Sequence, residues 1–118
     1  MRISMSSSSK RVFQLHAELC KTLANPTRLE LLSLLRNGEK SVNELAALSG
    51  CRQATVSQHL SVLRQKGVVS TRREGINIYY KVANPKVTKA CEIIREVLFE
   101  YIDNMNGISM EEEAKVKT

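Results

Sequence analysis

Cys51-Arg52-Gln53-Ala54-Thr55-Val56-Ser57-Gln58-His59-Leu60-Ser61-Val62-Leu63-Arg64-Gln65-Lys66-Gly67 is the stretch whose reading decides the fold. Val56, Leu60 and Leu63 fall at i, i+4 and i+7, so on a helix they share one inward face. The opposite face carries Ala54, Ser57, Gln58, Ser61 and Gln65. It is polar yet almost uncharged, where an ordinary solvated face is rich in Glu and Lys. Hydroxyls and amides suit the base edges of a duplex: Gln pairs with adenine, and Ser or Thr serves several edges. Arg52, Arg64 and Lys66 bracket this face at both ends, where phosphates lie. Gly67 supplies a left-handed cap that stops the helix. The stretch is expected to lie in the major groove of DNA; the competing reading is a surface helix with no ligand.

The surrounding composition narrows the classes. The chain has 118 residues, which predicts one domain, and 42% of it is apolar. Aromatic residues make up 4% and Trp is absent, which argues against a base-stacking platform for single strands. No apolar run reaches the length of a membrane span. Ser6–Ser9 followed by Lys10-Arg11 does not resemble a signal peptide, so a cytoplasmic protein is expected. Cysteines at 20, 51 and 91 are odd in number and widely spaced, unlike a disulfide framework. The net charge is +6, and its distribution is uneven. From Arg52 to Lys81 six bases (Arg52, Arg64, Lys66, Arg72, Arg73, Lys81) face one acid, Glu74. Residues 85–104 hold three bases and four acids. A basic stripe confined to one unit points to a polyanionic partner.

Residues 1–9 are Ser-rich and predict a disordered tail, and residues 105–118 a polar one; residues 10–104 form the folded domain. Lys10 to Leu23 has a helical stripe of Val12, Leu15, Leu19 and Leu23, widened by Phe13, His16 and Cys20. Asn25-Pro26 caps and opens a second helix, with Leu29, Leu32 and Leu35 inward, closed by Asn37-Gly38. Ser41-Val42-Asn43-Glu44 is a capping box that opens a third, with Leu45 and Leu48 inward. Ser49-Gly50-Cys51 then turns into the helix quoted above, the arrangement of a helix-turn-helix. After Gly67 the period changes to two. Val68 to Arg73 and Ile76 to Val82 predict a β-hairpin turned at Glu74-Gly75, with Arg72 and Arg73 near its tip. That makes a basic wing, unless the arginines only blunt an edge strand. Asn84-Pro85 opens a last helix with a seam of Val87, Cys91, Ile94, Leu98 and Tyr101 or Ile102. So apolar a terminal helix needs a partner, and with the first helix it is expected to form a subunit interface.

Helix, helix, helix-turn-helix, wing, helix, or α-α-α-α-β-β-α, resembles the ArsR/SmtB family of dimeric winged-helix repressors. Leu23-Ala24-Asn25-Pro26-Thr27-Arg28-Leu29 resembles the family's opening of the second helix, and Ser41-Val42-Asn43-Glu44-Leu45 that of the third. Gln53-Ala54-Thr55-Val56-Ser57-Gln58-His59-Leu60 resembles its recognition-helix signature, and Gly75 with Tyr79-Tyr80 its wing. The resemblance implies a homodimer on an inverted-repeat operator of double-stranded DNA, released when an inducer is sensed. It also implies groove contacts from Gln53, Thr55, Ser57 and Gln58. With the reading of charge and helix face, the DNA-binding set is Arg52, Gln53, Thr55, Ser57, Gln58, Ser61, Arg64, Arg72 and Arg73. One departure stands out: Arg52 replaces the family's usual Ser or Thr, so a helix cap is lost at a cost of ~1 kcal/mol.

The family's metal sensors carry paired cysteines in the third helix, where this chain has Ala46 and Ala47. Another family site uses Asp and His on the last helix, and residues 85–104 contain no His. Neither a metal site nor a cofactor is therefore expected. Cys20 and Cys91 remain. They resemble the pair with which one branch of the family senses persulfide or oxidants. Two thiols brought together can form a disulfide or polysulfide bridge and shift helix packing. His16, one turn before Cys20, could lower its thiol pKa or add a soft-metal ligand. The alternative is two buried cysteines that only pack. Cys51 reads as a bystander, and His59 as a packed residue with a satisfied ring. A metalloid-responsive or constitutive repressor is the rival within the class. A dimeric protein-interaction module without DNA binding is the rival outside it. No nucleophile, base and orienting group can be assembled, so an enzyme is not expected.

Overall fold

The computed structural model describes residues 7–106. It divides into two compact units, Met1–Asn84 and Pro85–Thr118. The domain expected over residues 10–104 spans both.

The first unit opens with α1 (Ser7–Leu23) and α2 (Pro26–Leu35). Helix α1 starts three residues before Lys10, so Ser7–Ser9 are helical; residues 1–6 of the expected tail lie outside the described residues. Asn25 has extended backbone, and its side chain accepts from the Arg28 N–H at 3.1 Å, with Pro26 in the first turn. Arg28 is a junction as well. Its Nη1 donates to the Thr22 carbonyl of α1 at 3.0 Å, and its Nε donates to His59 Nδ1 at 3.2 Å. His59 thus has the satisfied ring expected of it.

A strand not foreseen from the sequence follows: β1 (Lys40–Ser41). Two residues offer no alternation to read, and Ser41 also caps the next helix, α3 (Val42–Ser49). The capping box is complete. The Glu44 N–H donates to Ser41 Oγ at 3.2 Å and the Ser41 N–H to Glu44 Oε1 at 2.9 Å. Gly50 ends α3 at φ 74°, and three residues later α4 (Gln53–Gln65) begins. Helix α4 ends in a Schellman motif: Gly67 has φ 74°, its N–H reaches the Arg64 carbonyl, and the Val68 N–H reaches that of Leu63 at 2.9 Å.

Strands β2 (Val69–Glu74) and β3 (Asn77–Val82) pair antiparallel from Val69↔Val82 to Glu74↔Asn77. The two-residue loop is Gly75-Ile76, with Gly75 at φ 63°, the positive value that the first position of a II′ turn requires. Strand β1 adds to the other side of β3, giving the order β1-β3-β2.

The core of this unit is Leu31, Leu32 and Leu35 of α2, Leu45 of α3, Val56, Leu60 and Leu63 of α4, and Val68 and Val69, all at most 3% exposed. Two inward assignments need correction. In α2 it is Leu31 that joins Leu32 and Leu35 in the core while Leu29 is half-buried, and Leu48 of α3 is 56% exposed. Helix α2 packs on α3, α4 and β3 together, so its buried arc is wider than one stripe. Helix α3 makes barely two turns, and Leu48 lies in the last, beyond the cover of its neighbours.

The second unit is α5 (Pro85–Asn106), opened by the proline as expected. In its first turn the Thr88 hydroxyl donates to the Pro85 carbonyl at 3.0 Å. The helix includes Met105 and Asn106; the rest of the expected C-terminal tail lies outside the described residues. Among the described residues no helix is long and apolar enough to cross a membrane.

Candidate nucleic-acid interface

Helix α4 is held by its inner stripe, which leaves the outer face open. Gln53, Ala54, Ser57, Gln58, Ser61 and Gln65 are exposed, and Thr55 is half-buried at the edge. Among the described residues the side chains of Gln53, Thr55, Ser57, Gln58 and Ser61 have no hydrogen-bond partner, so their donors and acceptors are unspent. No acid lies on the helix. Arg52, Arg64 and Lys66 are exposed at its two ends. Arg52 occupies the cap position in extended backbone and makes no side-chain cap, as the departure from Ser or Thr predicts. The first-turn N–H groups are therefore left without a side-chain acceptor from the cap residue. Such an end favours anions.

The two arginines of the wing stand in different surroundings. Arg73 is exposed and without a partner among the described residues. Arg72 is engaged within the chain. Its Nε lies 3.2 Å from both carboxylate oxygens of Glu39, its Nη2 2.5 Å from Glu39 Oε1, and its Nη1 2.6 Å from Glu74 Oε2. The guanidinium carbon sits 4.9 Å from the centre of the Tyr79 ring. The hydrogen bond from Arg72 holds the Glu39 carboxyl below its ordinary pKa, outweighing the opposing desolvation. The same bonds, from Glu39 first and then Glu74, raise the Arg72 pKa further. Glu39 was missed in the sequence because it stands 33 residues before its partner. At the tip, Ile76 is 96% exposed, an apolar side chain with nothing over it.

Of the three thiols, Cys20 on α1 is exposed, Cys51 in the turn before α4 is half-buried, and Cys91 on α5 is buried. The Cys51 N–H donates to Ser49 Oγ at 3.2 Å, a contact that shapes the turn.

A helix-turn-helix followed by a three-stranded wing is the arrangement of the winged helix-turn-helix, DNA-binding transcriptional regulators. The chain belongs to the arsR family of bacterial regulatory proteins, whose model matches residues 25–71. It is 41% identical over 103 residues to the biofilm growth-associated repressor of Agrobacterium fabrum, covering 87% of each chain. A possible ArsR-family regulator of Mycobacterium bovis, solved as a homodimeric winged helix-turn-helix DNA-binding domain, superimposes with TM-score 0.75 at 31% identity, over 87% of this chain and 95% of that one. HlyU of Vibrio cholerae, a transcriptional activator, is 35% identical over 79 residues, 67% of this chain and 73% of its own. Its reduced form superimposes with TM-score 0.70 at 30% identity, over 78% and 97% of the two chains.

Proposed function

We propose that the protein is a homodimeric repressor that binds an inverted-repeat operator through α4 and the wing and leaves it when the thiols of Cys20 and Cys91 are oxidised or persulfidated. The observation that carries the DNA reading is the acid-free face of exposed Gln53, Ser57, Gln58 and Ser61, with half-buried Thr55 at its edge, between Arg52 and Arg64. A groove reader needs unspent donors and acceptors in the middle and cations at the rim.

Dimerisation is supported by the apolar surface that a single chain leaves open. Val12, Phe13 and Leu15 of α1 and Ile93, Ile94, Val97, Leu98 and Tyr101 of α5 are each 47% exposed or more. A soluble chain rarely leaves so many large apolar groups uncovered. A two-fold dimer places two copies of α4 about one helical turn apart, which matches an inverted repeat. Repression is favoured over activation because the relative named as a repressor is more similar than the one named as an activator.

The thiol reading rests on chemistry. Cys20 is exposed, as a thiolate that attacks an oxidant or polysulfide must be, and Cys91, buried, is the second thiol of the resembled pair. Joining the two releases two protons and passes two electrons to the oxidant or polysulfide. Cys20→Ser is expected to abolish release by polysulfide or peroxide while leaving reduced-state binding intact in a mobility-shift assay. A retained response removes Cys20 from the mechanism and leaves the metalloid-responsive or constitutive reading.

A further inference from the structure

We propose that Arg72 is the positioning residue of the wing and makes no contact with DNA, so that of the arginine pair Arg73, and not Arg72, is the phosphate cation. The inference rests on the DNA-binding reading above. A basic pair near the tip of a hairpin invites the assumption that both arginines meet phosphate. The geometry separates them. Strand alternation puts Arg72 and Arg73 on opposite faces of β2, with Arg72 across from Tyr79 and Arg73 across from Ile78.

On the Arg72 face, the guanidinium passes over the ring of Tyr79, in the central strand, and reaches Glu39, the residue just before β1. It therefore bridges the whole width of the sheet. Nε and Nη2 grip Glu39 at 3.2 and 2.5 Å, and Nη1 holds Glu74 at 2.6 Å. An isolated surface pair contributes little, but a two-pronged pair with a second carboxylate and a ring beneath is a network with fixed geometry. Arg72 is already matched by two carboxylates, and with Lys81, whose charge also reaches Glu39, the cluster carries no net positive charge with which to draw a phosphate. To take a phosphate, the guanidinium would have to abandon both carboxylates and leave them facing the DNA backbone.

What the clamp fixes is the angle of the hairpin. Glu39 sits in the segment that leads through β1 into α3, the first helix of the helix-turn-helix. Arg72 thus ties the wing strand to the same segment that starts the reading head. Arg73, with no partner among the described residues, is presented by a hairpin held in place.

The test is the salt dependence of operator binding by the full chain, reduced, for Arg73→Ala, Arg72→Ala, Arg72→Lys and Glu39→Gln. Each phosphate contact contributes about 0.9 to the slope of log affinity against log salt. Arg73→Ala is expected to lower the slope by about one contact per protomer. Arg72→Ala should leave the slope unchanged and weaken binding several-fold. Arg72→Lys should behave as Arg72→Ala, because an ammonium keeps the charge and loses the fork. Glu39→Gln and Arg72→Ala should both speed amide hydrogen exchange in β2 and β3 of the free protein. The proposal is overturned if Arg72→Ala flattens the slope as Arg73→Ala does, if Arg72→Lys restores full binding, or if wing exchange is unmoved by both variants. Failure of the unmodified chain to bind DNA overturns the DNA reading instead, and appears before any variant is made.

Discussion

At the scale of single residues, Glu39 carries the pH dependence. Its folded pKa lies below the ordinary carboxylate value because Arg72 donates to it. A depressed carboxylate contributes its share above the unfolded pKa and loses it as pH falls through the folded one. The wing is therefore expected to stay fixed across neutral pH and to loosen only in acid, below the usual range for Glu. The ring resonances of Tyr79, under the guanidinium, report this directly: no shift from pH 8 to 6 and a shift at acid pH that Glu39→Gln abolishes. The residue scale is also where the sequence was least informative about the candidate interface. Arg52, Arg64, Arg72 and Arg73 are all exposed, but the guanidinium of Arg72 is engaged by Glu39 and Glu74. A count of charges along the chain sees Glu74 near Arg72 and cannot see Glu39, which comes from the distant segment that leads into β1.

At the scale of elements, punctuation was legible because its chemistry is local. Asn25-Pro26, Ser41 with Glu44, Gly50 and Gly67 each satisfy helix-end groups within a few residues. Strand β1 was not legible, since its pairing with Tyr79 and Tyr80 is a long-range event. Nor were the fates of Leu31 and Leu48, which depend on how many neighbours cover a helix rather than on its period. Arg52 is the place where an element gives up stability for a charge. Arg52→Ser would supply the missing cap, so it is expected to raise unfolding stability by about 1 kcal/mol. The same substitution removes a rim cation, so operator affinity and its salt slope should fall. Urea unfolding and a binding isotherm on one preparation check both signs, and a variant that gains neither stability nor loses affinity contradicts this placement of Arg52.

At the scale of the whole molecule, the proposed assembly rests on the uncovered apolar groups of α1 and α5. Each stripe was readable as a helical period, but a sequence cannot say whether its cover comes from the same chain. Val12 remains 61% exposed and Ile94 66% exposed in the single chain. Leu15→Glu and Ile94→Glu are each expected to shift the protein from dimer to monomer in analytical ultracentrifugation and to cost it most of its operator affinity. A dimer that survives both substitutions places the interface elsewhere.

The most direct measurement is a dimethyl sulfate and hydroxyl-radical footprint of the reduced protein on genomic fragments at low salt. Two protected half-sites about one turn apart, with major-groove guanines shielded, are expected. The shielding should vanish for the double variant Ser57→Ala, Gln58→Ala while weak, salt-sensitive binding remains. No protected site with the unmodified chain, or a footprint that the double variant reproduces unchanged, contradicts the assignment of α4 as the reading helix.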